Sequence, residues 1–353
     1  MANPAATEST TPPAVERSER AFWRQLAGSA IHRAAIPLVV TLFFLGALVL
    51  NPAFNVGRLW QALAQADYIW LIPAVAIFFV GVWLRAVRWG LLLRPIAAVP
   101  AIRLFPVIVL GFAANNVLPA RAGELVRVHE LFRREGISRS ASLATILIER
   151  TFDGLTLLLL LGVVSLFVPL ADWFGLMLRA GAVIFLVLVV IVTVLALGGR
   201  QSRTVAHALV RRLPGSIGGR IEGLLDLFLA GLAGVRSPGL LGLVALTSLA
   251  AWVVESGVYL CVMFAFSIDV PAYVALLVTS TANLAITLPS SQGGIGPFEF
   301  FAAQTLIAFG VPNTTATAYA LVAHAAVLLP VIPLGGWVLW RGLREGRATD
   351  SGL

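Results

Sequence analysis

The stretch NNVLPARAGELVR, residues 115–127, directly follows the apolar run FPVIVLGFAA, residues 105–114. It carries a proline, a glycine, a carboxylate and two arginines at the tip of a hydrocarbon segment. Non-helical backbone at membrane depth is tolerated only where it is buried in protein or lines a wet cavity. The stretch therefore predicts a polar turn that is sheltered by the rest of the protein.

The composition of the whole chain places it in a membrane. Of its 353 residues, 59% are hydrophobic and 12% are charged, whereas soluble domains average about 45–50% and about 25%. The formal net charge is +8, and every positively charged Lys or Arg residue is an arginine, because the sequence contains no lysine. Arginine-rich cytoplasmic loops explain this charge, so a nucleic-acid partner is not expected.

The residue types that carry chemistry narrow the choice further. Cys261 is the single cysteine, which excludes a disulfide framework. The four histidines, at positions 32, 129, 207 and 324, lack the spacing of metal ligands. No nucleotide-binding motif is present. We therefore expect no metal, no cofactor and no direct use of ATP.

Apolar runs predict the architecture, because a full span needs roughly 20 apolar residues. Six spans are predicted, at 34–50, 68–84, 155–170, 180–197, 240–266 and 316–340. Two further apolar regions are interrupted: one covers 104–118, and the other covers 272–288 and 298–311. Arginines flank the first on both sides and are absent from the loops beside the second, so the two are predicted to be re-entrant hairpins from opposite faces. The predicted fold is an all-α polytopic membrane protein with an inverted repeat.

The same pattern divides the chain into regions. Residues 1–33 are predicted to be a cytoplasmic or interfacial tail, 34–341 the membrane domain and 342–353 a cytoplasmic tail. No cleavable signal is expected, since the first apolar run lacks a small-residue cleavage site. Residues 199–238 are predicted to be a cytoplasmic loop, in which 221–232 form either an amphipathic surface helix or a simple linker helix. The expected location is the inner (cytoplasmic) membrane, with both termini cytoplasmic.

A second stretch repeats the pattern of the first. ANNVLPARAGE begins at Ala114 and ANLAITLPSSQGG begins at Ala282; each holds Ala-Asn, a short gap, Leu-Pro, three residues and a glycine. Inverted repeats with broken helices are typical of secondary transporters. Asn115, Asn116 and Asn283 can satisfy backbone groups that the breaks set free. The alternative is that the prolines and glycines only end ordinary spans at the interface.

The glycines of the second stretch predict an anion site. They are Gly293, Gly294 and Gly296. They precede a helix that begins near Pro297, and bare amides at a helix N-terminus suit a phosphate. Arg121 and Arg127 of the first stretch would add charge-assisted hydrogen bonds. Glu299 lies beside this site.

The motif ERTFD places Glu149, Arg150 and Asp153 at the start of a long apolar helix. Glu149 and Asp153 share a helix face, and Arg150 can pair with Asp153. A charge at mid-bilayer costs about 2.5–3.5 kcal/mol on insertion scales, so these residues are expected to face a cavity or a partner and to offer carboxylates for proton coupling. The alternative is a surface ion pair at headgroup level.

Other polar residues fall within or beside apolar runs. Arg85 and Arg88, in the motif RAVRW, are interpreted first as arginines that snorkel to the cytoplasmic boundary, with contact to an anionic lipid as the alternative. Glu255 lies in mid-span and is expected to be protonated or paired with an arginine from another segment. His324 is interpreted as a hydrogen-bonded packing residue rather than a proton relay.

At these residues the chain resembles the transmembrane region of lysylphosphatidylglycerol synthase, a flippase-like family also fused to or found near glycosyltransferases and hopanoid-synthesis enzymes. The resemblance rests on RAVRW, NNVLPARAGELVR, ERTFD and LPSSQGGIGPFE, and it covers residues 70–340. It implies movement of a lipid with an anionic or modified headgroup between leaflets. The synthases carry a large soluble catalytic domain after the membrane region and this sequence ends at Leu353, so aminoacyl transfer is not expected.

The resulting hypothesis is a lipid translocase rather than an enzyme, with a phospholipid, polyprenyl-phosphate or hopanoid-type lipid as its partner. The residues expected to bind the headgroup are Arg85, Arg88, Asn115, Arg121, Glu124, Arg127, Glu149, Arg150, Asp153, Gly293, Gly294, Gly296 and Glu299. One alternative is a non-transporting accessory protein of an envelope-assembly complex, with envelope-biosynthesis enzymes or further copies of the chain as partners. Another is an intramembrane enzyme that uses Ser290 or Ser291 with His324, or a lipid-modifying transferase.

Overall fold

The computed structural model describes residues 35–118, 122–168, 171–197 and 237–350, with the single positions 204 and 208. Every regular element in these ranges is helical. The α-helices are α1 (Ala35–Val49), α2 (Val56–Gln65), α3 (Leu71–Leu93), α4 (Ala101–Val117), α5 (Gly123–Glu135), α6 (Arg139–Phe167), α7 (Asp172–Leu197), α8 (Pro238–Ala265), α9 (Tyr273–Ala285), α10 (Pro297–Ala308), α11 (Asn313–Leu328) and α12 (Val331–Asp350). Short 3-10 turns lie at Tyr68–Trp70 and Gln292–Gly294. The predicted all-α class is confirmed.

Four helical stretches within the described ranges are long and apolar enough to cross a membrane. They are Tyr68–Leu93, Arg139–Phe167, Gly239–Ala265 and Asn313–Gly342, and each overlaps a predicted span. The first predicted span forms the 15-residue α1, which is shorter than the roughly 20 residues of a typical span. The span predicted at 180–197 lies within α7. The chain is thus a multi-pass membrane protein, and the number of six spans stays a prediction.

Several predicted features lie outside the described residues. They are the tail 1–33, Pro119 and Arg121 of the first turn, and the helix predicted at 221–232 in the central loop. At the other end of the chain, α12 runs to Asp350. The region predicted as a C-terminal tail therefore begins as a continuation of that helix.

Local sequence signals set the ends of the helices that carry the charged motifs. Ser138 Oγ accepts a hydrogen bond from Ala141 N at the start of α6, an N-cap contact that satisfies an amide left free by the first turn. Gly136 ends α5 in the left-handed conformation, with a φ of 68°, which glycine adopts without a Cβ penalty. Together they form a short connection that fixes where α5 ends and α6 begins.

Both interrupted apolar regions fold as helical hairpins. α4 packs against α5, and α9 packs against α10. The hairpins are held by the long helices, since α5 and α9 both contact α6, α4 contacts α12, and α10 contacts α11. α3 packs along α8 beside them. The two hairpins meet, because α4 of the first hairpin also contacts the turn Gln292–Gly294 of the second.

Replacing Gly123 by alanine is expected to lower the free energy of unfolding by about 1–3 kcal/mol, the usual effect of overpacking. A Cβ at this position would overlap the Gly111 carbonyl oxygen and the Asn115 side chain, so α4 and α5 could not approach as they do. Gly242→Ala in α8 is the matched control, because a Cβ there meets no atom within 4 Å. Thermal unfolding in detergent measures both variants. Equal midpoints would contradict the close packing of this hairpin.

Candidate functional site

A network of charged side chains is buried where α3, α5 and α6 meet. Arg127 Nη1 and Nη2 donate to Glu149 Oε1 and Oε2 at 3.1 and 2.9 Å. Arg88 Nη1 donates to Asp153 Oδ1 at 2.6 Å, and Arg88 Nη2 lies 3.4 Å from Glu149 Oε1. The Arg127 guanidinium lies 4.2 Å from the centre of the Trp89 ring. Two guanidinium groups and two carboxylates thus compensate each other inside the protein.

Side chains of α8 complete the shell around this network. Trp252 Nε1 donates to Asp153 Oδ1 at 3.0 Å. Ser248 Oγ accepts a hydrogen bond from Arg88 Nη1 at 2.8 Å. A buried charge without such partners would carry a large desolvation cost. The dense pairing explains how four charged groups are accommodated in an otherwise apolar helix bundle.

A second buried ion pair joins α3 to α8. Arg85 Nη2 lies 2.6 Å from Glu255 Oε2, and Arg85 Cζ lies 4.7 Å from the centre of the Trp252 ring. Tyr259 OH donates to Glu255 Oε1 at 3.5 Å and accepts from Asn283 Nδ2 at 3.1 Å. The expectation that Glu255 pairs with an arginine from another segment is confirmed. Through Asn283, this chain of contacts reaches the second hairpin.

A cavity of about 170 Å³ lies between the two hairpin turns. Its polar wall is formed by Arg85, Asn115, Asn116, Glu124, Arg150, Trp252, Glu255, Asn283, Gly293 and His324. Apolar side chains such as Phe78, Phe112 and Ile286 form the rest of the wall. Amide groups from both hairpins, the Glu124 carboxylate of the first hairpin, and the charged groups of α3, α6 and α8 therefore face one shared space.

The side chains of Asn115 and Asn116, at the end of α4, form hydrogen bonds beside the cavity. Asn115 Oδ1 accepts a hydrogen bond from Gly123 N at 2.8 Å, and Asn115 Nδ2 donates to Glu124 Oε1 at 3.4 Å. Asn116 Nδ2 donates to Leu328 O at 3.1 Å, at the end of α11. The predicted role of these asparagines in satisfying freed backbone groups is confirmed.

Arg150 borders the buried network and is more accessible to solvent than the other arginines of the two ion-pair groups. Its side chain is 42% exposed. Its Nε lies 3.9 Å from Glu124 Oε1, and its Nη1 lies 3.5 Å from Asp153 Oδ2. The predicted pairing of Arg150 with Asp153 is confirmed. Arg150 Nη2 also donates to Glu149 Oε1 at 3.5 Å, so the guanidinium is shared among three carboxylates through long contacts beside the cavity.

The second hairpin turn is held by α10 and α11. Gly296 has a φ of 98°, and a Cβ there would lie 2.9 Å from the Thr41 backbone. Gly296 N donates to Glu299 Oε2 at 2.7 Å. Glu299 Oε1 lies 2.6 Å from His324 Nδ1, and His324 Nε2 lies 3.1 Å from Gly293 O. Glu299 and His324 therefore tie both sides of the turn to the helix bundle.

The interpretation of Arg85 and Arg88 as snorkelling residues is wrong. They are 4% and 0% exposed and pair with carboxylates of α8 and α6. The alternative of a surface ion pair in ERTFD is also wrong, because Glu149 and Asp153 are buried within α6. The partners of these charges lie on helices distant in sequence, so local patterns could not reveal the burial.

The amides predicted to be bare at the start of α10 are used within the protein. Gly294 N donates to Ser291 O at 3.1 Å, and Gly296 N donates to Glu299. The Glu299 carboxylate therefore occupies the place where an external anion was expected. The candidate anion site therefore lies in the cavity and not at the start of the helix.

The predicted headgroup-binding arginines occupy different places. Arg85 and Arg150 line the cavity. Arg88 and Arg127 lie behind its wall, held by their ion pairs. The expectation that Arg127 contacts a phosphate directly does not fit this geometry. Arg121 lies outside the described residues.

Five residues of the polar cavity wall were not assigned to the headgroup site by sequence: Asn116, Trp252, Glu255, Asn283 and His324. The available signals were a tryptophan three residues before Glu255, which places both on one helix face, and isolated polar side chains within apolar runs. His324 is hydrogen-bonded, as expected, with Glu299 as its partner, and it also borders the cavity.

The geometry also bears on the enzyme hypothesis. Among the hydrogen bonds of the described residues, none joins Ser290 or Ser291 to His324, and Ser291 Oγ instead lies 2.8 Å from Thr41 Oγ1. The part of the chain that the structure describes contains no group of three or more His, Cys, Asp or Glu side chains that could hold a metal ion.

The apolar helices that are long enough to span a membrane define a polytopic membrane protein. The buried ion pairs and the cavity form a polar site inside its helix bundle. The chain belongs to the family described as the lysylphosphatidylglycerol synthase transmembrane region, whose family model matches residues 34–335. The resemblance inferred from the motifs is confirmed.

Two relatives illustrate the range of this family. The chain is 30% identical over 293 residues to a UPF0104 membrane protein of Methanothermobacter thermautotrophicus, an alignment that covers 79% of this chain and 85% of the relative. It is 29% identical over 355 residues to glycosyltransferase AglD of Haloferax volcanii. That alignment covers 90% of this chain but only 56% of AglD. No solved structure matches the chain.

Proposed function

We propose that this protein is a lipid translocase of the inner membrane, which moves a lipid with an anionic or modified headgroup between leaflets. The observation that carries the proposal is the cavity between the hairpin turns, where Arg85, Arg150, Glu124 and amide side chains face one space. The headgroup would pass through this space. The acyl tails would stay in the surrounding lipid, against the apolar outer face of the bundle.

The chemistry of the cavity wall supports a phosphate-bearing headgroup. Arg150 is loosely paired, and Arg85 Nη1 is buried without a hydrogen-bond partner among the described residues. Hydrogen bonds from a guanidinium to phosphate are short, strong and often bidentate. We therefore assign phosphate binding to Arg150 and Arg85. Arg121, which the sequence predicts for the same role, remains an additional candidate.

The membrane topology is part of the same proposal. Two helical hairpins whose turns meet are what an inverted repeat with re-entrant loops requires. Arginines before α1, after α3, in the last turn of α5 and in the second half of α12 support cytoplasmic N- and C-termini, because cytoplasmic loops are enriched in this residue. We propose six spans, with the hairpins inserted from opposite faces.

A second candidate is favoured by one of the relatives. AglD is named a glycosyltransferase, and this chain aligns with about half of its length. A protein of this type could serve an envelope glycan or lipid assembly complex without moving lipid itself. The membrane region would then bind a lipid-linked substrate and present it to a partner enzyme, whose identity is open.

Leaflet exchange of a fluorescent phospholipid in proteoliposomes tests the translocase proposal. The native protein is expected to catalyse exchange, and Arg150→Gln is expected to slow it about tenfold or more, because a hydrogen bond to a charged group contributes about 1.5–3 kcal/mol. Arg103→Gln is the matched control, since Arg103 is 61% exposed and pairs with Glu135 away from the cavity. No exchange by the native protein, with lipid binding retained, would favour the accessory role. Equal rates for the two variants would contradict the assignment of Arg150.

A further inference from the structure

The hydrogen bonds of His324 determine how many protons it shares with Glu299. Gly293 O can only accept a hydrogen bond, so the 3.1 Å contact requires a proton on His324 Nε2. The 2.6 Å contact between His324 Nδ1 and Glu299 Oε1 requires one more proton between those two atoms. The pair therefore holds two protons, either as imidazolium with carboxylate or as neutral imidazole with carboxylic acid.

Loss of one of these protons breaks the arrangement. If the remaining proton stays on Nε2, the Glu299 carboxylate faces the lone pair of Nδ1. If it stays on Nδ1, the lone pair of Nε2 faces Gly293 O. Either way one hydrogen bond is lost, and a net negative charge is left on a pair whose side chains are only 3% and 5% exposed. The two hydrogen bonds that join α11 to the second hairpin, one to Gly293 and one to Glu299 at the start of α10, therefore exist together only when the pair holds two protons.

We propose that Glu299 and His324 form a proton-binding site whose second proton locks the second hairpin against α11 through Gly293 and Glu299, and that release of this proton breaks one of these contacts and loosens the turn Gln292–Gly294. Both His324 and Gly293 border the cavity, so the state of the pair changes the wall on which the headgroup lies. The role of the Glu299–His324 pair in coupling protons to transport rests on the proposed function. The lock itself rests only on the hydrogen bonds.

The electrostatic surroundings of the pair come from several helices. The charged groups that share its cavity are Arg85 on α3, Glu124 on α5, Arg150 on α6 and Glu255 on α8. Tyr259 of α8 packs on Phe298, and the Phe298 ring stacks on His324 at 4.0 Å. The two guanidinium groups are balanced by two carboxylates around the cavity. The charged groups around the cavity therefore carry no net charge, and the protonation of the Glu299–His324 pair sets the local charge.

A spin label at the turn tests the lock without requiring lipid movement. The label is attached to Gln292→Cys in a Cys261→Ala background, because Gln292 is exposed in the turn and Cys261 is a buried thiol. The full chain is placed in lipid nanodiscs, and label mobility is followed as the pH is raised. With Glu299 and His324 intact, the immobilised component is expected to be lost at alkaline pH.

Two further variants make the result decisive. Glu299→Gln can donate to His324 Nδ1 and accept from Gly296 N without a dissociable proton, so its label is expected to stay immobilised at every pH. His324→Phe keeps the ring stacking but not the hydrogen bonds, so its label is expected to be mobile throughout. A pH-independent label in the intact pair, or the same alkaline release in Glu299→Gln, would overturn the proposal. Since this measurement uses no transported lipid, it separates failure of the lock from failure of the translocase.

Discussion

Replacing Glu149 by alanine is expected to lower the free energy of unfolding by about 3–5 kcal/mol, the usual effect of removing one partner from a buried ion pair. Glu149 is 1% exposed and contacts the guanidinium groups of both Arg88 and Arg127. Its removal leaves Arg127 without the carboxylate that binds it at two atoms. Arg88 retains Asp153 but loses part of its compensation.

Denaturant or thermal unfolding in detergent micelles measures this effect. Arg103→Ala provides the comparison, because Arg103 is 61% exposed in its pair with Glu135 and surface pairs contribute about 0–1 kcal/mol. Glu149→Gln should fall between the two, since the amide keeps an acceptor for one guanidinium but loses the charge. If Glu149→Ala were no more harmful than Arg103→Ala, the buried network would not contribute to the fold as described.

The double replacement of Arg85 and Glu255 by methionine is expected to separate stability from function. Exchanging a buried ion pair for apolar residues of similar volume is often neutral or stabilising by about 1–4 kcal/mol. Lipid exchange in proteoliposomes is expected to fall about tenfold or more, because a guanidinium on the cavity wall contributes about 1.5–3 kcal/mol to a bound phosphate. The protein would therefore remain folded while it loses transport.

The single variant Glu255→Met supplies the control for this experiment. It leaves the buried Arg85 charge without its carboxylate, so it is expected to lose about 3–5 kcal/mol of stability. The double variant should recover that loss without recovering exchange. Native exchange rates in the double variant would show that the headgroup does not pass Arg85, and the proposed path would have to be abandoned.

The sequence predicted the class of protein and the two polar turns because both depend on local composition. Pro289, Gly123 and Asn115 interrupt apolar runs in a way that hydrocarbon does not tolerate without protein cover, so a sheltered turn could be inferred. The pairing of Arg150 with Asp153 also follows from helix geometry. These features need no knowledge of which helices are neighbours.

The burial of Arg88 could not be predicted in the same way. RAVRW at the end of an apolar run has the composition of a membrane boundary, and only the packing of α3 against α6 and α8 shows that its arginines point inward. The prediction of bare amides near Gly296 was also wrong. The Glu299 carboxylate, three residues away, caps the Gly296 amide. The choice between an internal and an external anion depends on side-chain direction, which the sequence pattern leaves open.

The balance of charge in the bundle has a consequence for the response to transmembrane voltage. The guanidinium groups of Arg85, Arg88, Arg127 and Arg150 face the carboxylates of Glu124, Glu149, Asp153 and Glu255. Moving one elementary charge through 100 mV involves about 2.3 kcal/mol, but a set of four positive and four negative groups that shifts together carries no net charge through the field. The membrane potential therefore exerts no net force on these eight paired groups when they move as a unit.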